Sequence, residues 1–184
     1  MTKEYENAFS ALKKLKEGNK TYLNSEKNVG DISPRARLFT YQNGQKPFAI
    51  VVGCADSRVI PESIFSAGIG ELFVIRAAGN VVDNFALGSV EYAVEHLGCR
   101  LVVVLGHTGC GAVGAAHAQN GGYLKYITDE IKGAIGEEED GLKASSLNAQ
   151  HSAQKIKAQL PQTEGLMVIS ALYHTDSGEV DFFD

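Results

Sequence analysis

Residues 100–111 read RLVVVLGHTGCG. The run 101–106 is apolar and has the length of a β-strand, and two side chains with metal-binding chemistry, His107 and Cys110, follow it at once. A strand that is apolar on both faces is typical of a parallel sheet covered by helices, because neither of its faces meets water. The stretch therefore predicts a buried strand that carries an imidazole and a thiol at its carboxyl end.

A second apolar run, residues 47–53, has the same design and leads into CADSR, residues 54–58. Further strands are predicted at 71–76 and 165–173, where apolar and β-branched residues accumulate. Residues 24–45 are polar and are expected to hold a short helix within a long excursion. The remaining helices are predicted at 8–23, 84–97, 112–119, 123–135 and 145–160.

The alternation of strands with helices indicates an α/β fold, in which a parallel-core β-sheet is flanked by helices. In the helix 8–23, the residues Phe9, Leu12, Leu15 and Tyr22 recur near the helical period and are expected to form its apolar face. Functional residues of parallel sheets gather beyond the carboxyl ends of the strands. The two motifs therefore converge if the strands that carry them are neighbours.

Length, charge and cysteine content narrow the class of protein. The 184 residues are enough for a single domain with a substantial core. A formal charge of −5 and a pI near 5.5 argue against binding to nucleic acid or to an acidic membrane surface. No run is long and apolar enough to span a bilayer, and residues 1–6 lack the apolar core of a signal peptide, so a cytoplasmic location is expected. The 3 cysteines indicate metal binding or catalysis rather than a disulfide framework.

Cys54, His107 and Cys110 form the strongest candidate site. Two thiolates and one imidazole are a soft ligand set that suits zinc, and three protein ligands leave a coordination position for water, as in catalytic sites. A structural zinc site, or cysteines that are merely buried, are the alternatives. A structural site normally has four protein ligands, and no second close pair is present. Redox chemistry is disfavoured because no Cys-x-x-Cys occurs, and the Gly-rich segment 107–114 lacks the ending of a phosphate-binding P-loop.

Asp56 and Arg58 follow the first cysteine within the same turn. As an ordinary surface pair they would contribute little to stability. Beside a zinc ion, the carboxylate could accept a hydrogen bond from zinc-bound hydroxide, or it could bind the metal and fill the open position. An arginine clamped on the carboxylate would hold it off the metal and favour the open site. Cys99 precedes the strand at the end opposite His107, so it is expected to be structural.

The chain resembles the β-class carbonic anhydrases, and the resemblance covers nearly its whole length. It includes two motifs in the expected order, GCADSRV at 53–59 and GHTGCGAV at 106–113. The other matching segments are ALKKLKEGN at 11–19, GQKP at 44–47, FVIRAAGN at 73–80 and GSVEYA at 88–93.

The resemblance implies a role for each residue of the site. Cys54, His107 and Cys110 would bind one zinc ion per chain, with water or, in a closed state, Asp56 as the fourth ligand. Asp56 and Arg58 would form the catalytic dyad.

The resemblance also implies a pocket and an assembly. Gln45 would donate a hydrogen bond toward the substrate, and Phe73 and Tyr92 would line a narrow pocket, partly from the neighbouring subunit. The chain would form a homodimer with a continuous central sheet, or a tetramer of two such dimers. Residues 1–45 would be an N-terminal helical arm and residues 46–184 the α/β zinc-binding core of a single domain, 1–184.

The activity expected from the resemblance is the reversible hydration of carbon dioxide to bicarbonate and a proton, by attack of zinc-bound hydroxide. This would make the protein a zinc lyase that needs neither nucleic acid nor membrane as a partner. Two alternatives remain open: an enzyme with the same chemistry on carbonyl sulfide or carbon disulfide, and a zinc-binding protein without activity. The intact Asp56, Arg58 and Gln45 argue against the second alternative.

Overall fold

The structure is a computed structural model that describes residues 7–160 and 163–183; the predicted domain limits Met1 and Asp184 lie outside them. Every helix in the described part of the chain is too short or too polar to cross a lipid bilayer. The helices are α1 (Ala8–Leu23), α2 (Pro34–Asn43), α3 (Pro61–Ile64), α4 (Asn84–Glu95), α5 (Gly111–Ala115), α6 (Leu124–Ile135) and α7 (Gly141–Gln159), with a 3₁₀ turn at Ala78–Asn80. The strands are β1 (Ala49–Cys54), β2 (Leu72–Ala77), β3 (Leu101–His107), β4 (Met167–Tyr173) and β5 (Val180–Phe183).

The five strands form one sheet in the order β2-β1-β3-β4-β5. The first four of these run parallel, which confirms the α/β fold with a parallel core, and β5 lies antiparallel to β4. β1 and β3 are direct neighbours, so the geometric condition for convergence of the two motifs is met. β5 and α3 were not predicted, because four residues are too few to show a periodic pattern.

Helices cover both faces of the sheet. Every residue of β1 and β3 is buried, as expected for central strands that are apolar on both faces. One face packs against α1 and α3, and the other packs against α4 and α7. The prediction that Phe9 faces the core was wrong, since 75% of its surface is exposed. Leu15 is buried as predicted, and Leu12 and Tyr22 pack against the same cluster. The other buried residues of α1 are Ala8, Ala11 and Asn19.

Asn19 fastens α1 to two distant parts of the chain. Its side-chain amide donates to the carbonyl oxygens of Ile64 at 3.2 Å and Gly178 at 2.9 Å, and its Oδ1 accepts from the backbone N–H of Val180 at 3.2 Å. The neighbouring Gly18 allows this close approach, because a Cβ at that position would lie 2.0 Å from the carbonyl oxygen of Phe65. Asn19 thus joins the helix to α3 and to the turn before β5.

We predict that Asn19→Leu lowers the free energy of unfolding by about 2–4 kcal/mol, because it leaves buried backbone groups without partners. Urea unfolding at a fixed protein concentration measures the change. The control is Lys20→Ala, at the adjacent exposed position, which is expected to change the same free energy by no more than about 0.5 kcal/mol. Equal effects of the two substitutions would contradict the role given to Asn19.

Candidate metal centre

Two adjacent strands and one tight turn bring the predicted ligands together. Cys54 is the last residue of β1 and His107 is the last residue of β3. Cys110 follows after a turn in which Gly109 has a φ of 66°, a conformation that favours glycine. One ligand atom from each of the three buried side chains lies within 4.8 Å of the others, and within residues 7–160 and 163–183 no other group of this kind occurs. The side chains can therefore hold one metal ion.

The imidazole of His107 supports a metal at this position. The ring is fully buried, and its Nδ1 lies 3.0 Å from the carbonyl oxygen of Thr108, to which it donates in the tautomer that leaves Nε2 unprotonated. Nε2 is buried and has no hydrogen-bond partner within the described residues. An unpaired polar atom in the interior is costly, whereas a metal bound at Nε2 would satisfy it. The donor set of two sulfurs and one nitrogen fits a soft or borderline metal.

Hydrogen bonds around the sulfur atoms favour a thiolate at Cys54. The Cys110 thiol donates to the Cys54 sulfur and lowers the pKa of Cys54, while the same bond, together with burial, raises the pKa of Cys110. The backbone N–H groups of Asp56, at 3.4 Å, and of Gly79, at 3.2 Å, also point to the Cys54 sulfur. The thiolate is the form of cysteine that binds metals.

Asp56 and Arg58 form a two-pronged ion pair beside the ligands. The Nε of Arg58 donates to Oδ1 of Asp56 at 3.0 Å, and one of its terminal nitrogens donates to Oδ2 at 2.7 Å. The same terminal nitrogen donates to the carbonyl oxygen of Gly109 at 3.1 Å. These hydrogen bonds from Arg58 hold the pKa of the Asp56 carboxyl below its usual range. Oδ2 of Asp56 lies 3.9 Å from Nε2 of His107, so the carboxylate stands at the edge of the metal position.

Arg76 has a role at this site that the sequence analysis did not assign. Its Nε donates to the carbonyl oxygen of Cys54 at 2.9 Å, and a terminal nitrogen donates to the carbonyl oxygen of Asp56 at 2.6 Å. Both bonds fix the backbone of the turn after β1. The one sequence signal for this role is that Arg76 is a single cation near the end of the otherwise apolar strand β2. In the sheet, Arg76 lies opposite Gly53 of β1.

The predicted pocket residues lie away from the metal ligands within one chain. Gln45 precedes β1, and the backbone N–H of the next residue, Lys46, bonds to the carbonyl oxygen of Gly70 just before β2, at 3.3 Å. β1 advances about 3.3 Å per residue, so roughly 17 Å separates this end of the strand from Cys54. A glutamine side chain cannot bridge that distance.

Phe73 and Tyr92 belong to the same side of the molecule as Gln45. Phe73 is the second residue of β2 and pairs in the register with Ile50, near the start of β1. Its ring contacts that of Tyr92 on α4, with ring centroids 6.2 Å apart, and 48% of the tyrosine surface is exposed. Within one chain the metal ligands and the predicted pocket residues therefore form two separate groups.

The fold and the three-ligand group define an α/β protein with a candidate metal centre at the carboxyl edge of its sheet. The family model described as "Carbonic anhydrase" matches residues 49–180. Carbonic anhydrase 2 of Mycobacterium tuberculosis is 43% identical over 137 residues, which are 70% of this chain and 65% of that protein. The carbonic anhydrase of Mycolicibacterium smegmatis is 34% identical over 194 residues, with 95% of this chain and 93% of that protein covered.

The structural comparison agrees with the sequence comparison. The β-carbonic anhydrase CafA of Aspergillus fumigatus superposes with a TM-score of 0.72 at 26% identity, covering 96% of this chain and 90% of that one. The chain belongs to the β-carbonic anhydrase family. Its match to the Mycobacterium tuberculosis relative spans just under two thirds of that protein's length.

We predict that the purified protein contains one metal ion per chain and that Cys110→Ser removes most of it, because a hydroxyl is a poor substitute for a thiolate ligand. Metal analysis by mass spectrometry on folded protein measures this. The matched control is Cys99→Ser, a substitution of another buried cysteine, whose sulfur donates to the carbonyl oxygen of Pro47 at 3.2 Å. Loss of metal in the control, or full retention in Cys110→Ser, would count against the assigned ligands.

Proposed function

We propose that this protein is a zinc-dependent carbonic anhydrase that interconverts carbon dioxide and water with bicarbonate and a proton. The observation that carries the proposal is the buried Cys54, His107 and Cys110 group, with an ionised carboxylate clamped at its edge. Three protein ligands of this type leave one position open on a tetrahedral zinc ion. Zinc bound there would lower the pKa of a water molecule to about 7 and so supply hydroxide near neutral pH.

Asp56 is the hydrogen-bond acceptor and orienting group of the proposed reaction. Its lowered pKa keeps the carboxylate ionised, so it can accept a hydrogen bond from water at the open position. Arg58 fixes both carboxylate oxygens and thereby sets the direction from which that bond is accepted. The same clamp holds Asp56 back from the metal. Release of the clamp would allow Asp56 to become the fourth ligand in a closed state.

A second copy of the chain supplies the other half of the proposed site. Carbon dioxide is small and apolar, so a narrow apolar pocket with one hydrogen-bond donor is sufficient to place it. Gln45 supplies the donor, and Phe73 and Tyr92 supply apolar walls. Because these residues lie at the far end of β1 from Cys54, we assign them to the active site of the partner subunit.

Two features of the surface support a homodimer. β2 is the outermost strand on its side of the sheet and pairs only with β1 among the described residues, so its other edge is open. No residue of α2 is buried, and two of its apolar side chains, Leu38 and Phe39, are 57% and 61% exposed. An open sheet edge and exposed apolar side chains are each typical of a protein–protein interface. The cytoplasmic location and the pairing of dimers into tetramers stay predictions.

The test of the proposed function is stopped-flow hydration of carbon dioxide at mildly alkaline pH, with zinc content determined on the same sample. One zinc ion per chain together with fast hydration is the expected result. Zinc without hydration would contradict the proposal, and carbonyl sulfide and carbon disulfide would then be assayed as substrates of the same site.

We predict that Asp56→Asn lowers the hydration rate by about 10–100-fold and leaves the metal content unchanged, because it removes the charged hydrogen-bond acceptor at the open position but no ligand. Stopped-flow rates and metal analysis are compared on each variant. The control is Asp129→Asn, which removes an exposed carboxylate paired with Lys125 on α6 and is expected to leave both quantities unaltered. Undiminished turnover in Asp56→Asn would refute the role given to the carboxylate.

We also predict that two inactive variants restore activity when they form a mixed dimer. In a dimer of one Gln45→Ala chain and one Asp56→Asn chain, the metal site of the Gln45→Ala chain keeps Asp56 and receives Gln45 of the partner subunit. Equal, random mixing is expected to give roughly a quarter of the wild-type rate.

The mixing experiment separates action between subunits from action within one chain. If Gln45 served its own chain, each site of the mixed dimer would carry one defect, and the mixture would be no more active than its components. The control mixes the single variant Asp56→Asn with a double variant that carries both Asp56→Asn and Gln45→Ala. That mixture contains no intact site under either arrangement and stays inactive.

A further inference from the structure

A buried chain of hydrogen bonds leads from α7 to the Cys54 sulfur. The side-chain amide of Asn148 donates to the carbonyl oxygen of Gly79 at 2.7 Å. The backbone N–H of the same glycine donates to the Cys54 sulfur at 3.2 Å. Asn148 is 1% exposed and Gly79 is also buried, so water does not compete for either bond. Gly79 is thus held from one side and bonds to the metal ligand on the other.

Position 79 requires a glycine because of its backbone conformation. Its φ of 66° and ψ of 22° lie in the left-handed region, which side chains with a Cβ rarely adopt. A Cβ there would also lie 2.6 Å from the terminal carbon of Ile131 and 3.2 Å from the Cβ of Ala112. The direction of the N–H toward sulfur therefore depends on a glycine in an unusual conformation, and Asn148 is the side chain that anchors it.

The helix that carries Asn148 also abuts the strand of the histidine ligand. A Cβ on Gly106, the residue before His107, would lie 3.0 Å from the carbonyl oxygen of Ser145, which is one turn before Asn148 on α7. One face of α7 thus contacts β3 next to His107 and anchors the glycine that bonds to Cys54. A single helix is the common reference for two of the three ligands.

We propose that Asn148 is a positioning residue of the metal site, which holds the Gly79 N–H on the Cys54 thiolate and thereby sets the metal affinity and the electron density of that sulfur. The inference rests on the proposed use of Cys54 as a metal ligand. Hydrogen bonds to ligand atoms orient them and tune their donor strength, and loss of such a contact typically weakens metal binding about 10–100-fold. Asn148 is far from Cys54 in sequence and acts on it only through the backbone of Gly79.

A purely structural role for Asn148 makes a different prediction. A buried carbonyl oxygen needs a partner, so the amide could merely satisfy Gly79. In that case its loss would lower stability without changing the properties of the sulfur. The two roles are distinguished by a signal that comes from the metal–thiolate bond itself, for which cobalt(II) is the probe, since it replaces zinc in such sites and absorbs light through thiolate-to-cobalt charge transfer.

The experiment compares Asn148→Leu with the matched control Ser145→Ala. Both positions are buried on α7, but the Ser145 hydroxyl has no hydrogen-bond partner in the described part of the chain, so its removal is expected to be silent. For Asn148→Leu we expect the charge-transfer band to move to longer wavelength, because a sulfur that loses a hydrogen bond donates electrons more readily. Competition with a chelator is expected to show cobalt binding weakened about tenfold.

Each outcome decides the inference. An unshifted band and unchanged affinity in folded Asn148→Leu overturn it, even if stability falls and even if the wild type binds metal and hydrates carbon dioxide. Failure of the wild type to bind cobalt or zinc overturns it together with the proposed metal site. If Asn148→Leu does not fold, Asn148→Ala takes its place.

Hydrogen exchange on the wild type adds a test that needs no variant. The Gly79 amide of the metal-loaded protein is expected to exchange far more slowly than the exposed amides near Gly121 and Gly122. Equally fast exchange would show that the N–H is not held on the sulfur, and the inference would fail on that result alone.

Discussion

The register between β1 and β3 is the constraint on which the site depends. Val51 lies opposite Val103 and Gly53 opposite Leu105, so the two strands end nearly level. The side chains of Cys54 and His107 converge at this edge. A slip of one residue would displace one candidate ligand by about 3.3 Å along the sheet relative to the other. Both strands are buried on both faces, so an alternation of apolar and polar residues cannot fix this register. The end of each strand is held from outside the pair: Arg76 of β2 bonds to the carbonyl oxygen of Cys54, and α7 packs against β3 just before His107.

Burial of two thiols and an imidazole is stable only where the surrounding atoms compensate for lost water. Around Cys54 the compensation comes from backbone N–H groups, and around His107 it comes from the carbonyl oxygen of Thr108 on one ring nitrogen. The other nitrogen has no such partner, which is the direct reason to place a metal there. Arg58 and Asp56 lie at the open side, where charge is less costly because solvent is near. In the proposed site, the interior groups would determine which metal is bound, and the groups at the edge would determine how its fourth coordination position is used.

The sequence predicted those features that depend on long runs or on local chemistry. The four parallel strands were found from apolar runs, and the helix 8–23 was found with the same bounds. Of its predicted apolar face only Phe9 is exposed, and the small residues Ala8 and Ala11 are buried. The three ligands were predicted from their places at strand ends. Gln45, Phe73 and Tyr92 entered only through resemblance, since nothing local distinguishes them. Asn148 and the role of Arg76 could not be predicted, because both act on backbone groups that only the folded chain brings near.

The separation of the site into two groups has a consequence for how metal binding and turnover depend on assembly. The candidate ligands, the Asp56–Arg58 clamp and the Asn148 anchor all belong to one chain, so an isolated subunit contains every group that is proposed to hold the metal. Gln45 lies at the other end of β1, and the proposed reaction needs it from a second copy. Metal affinity should therefore be independent of protein concentration, whereas turnover should fall when the dimer dissociates. If one chain supplied all groups for both metal binding and turnover, dissociation of the dimer would not separate the two. The dependence of metal affinity and of turnover on protein concentration therefore tests whether the partner subunit completes the site.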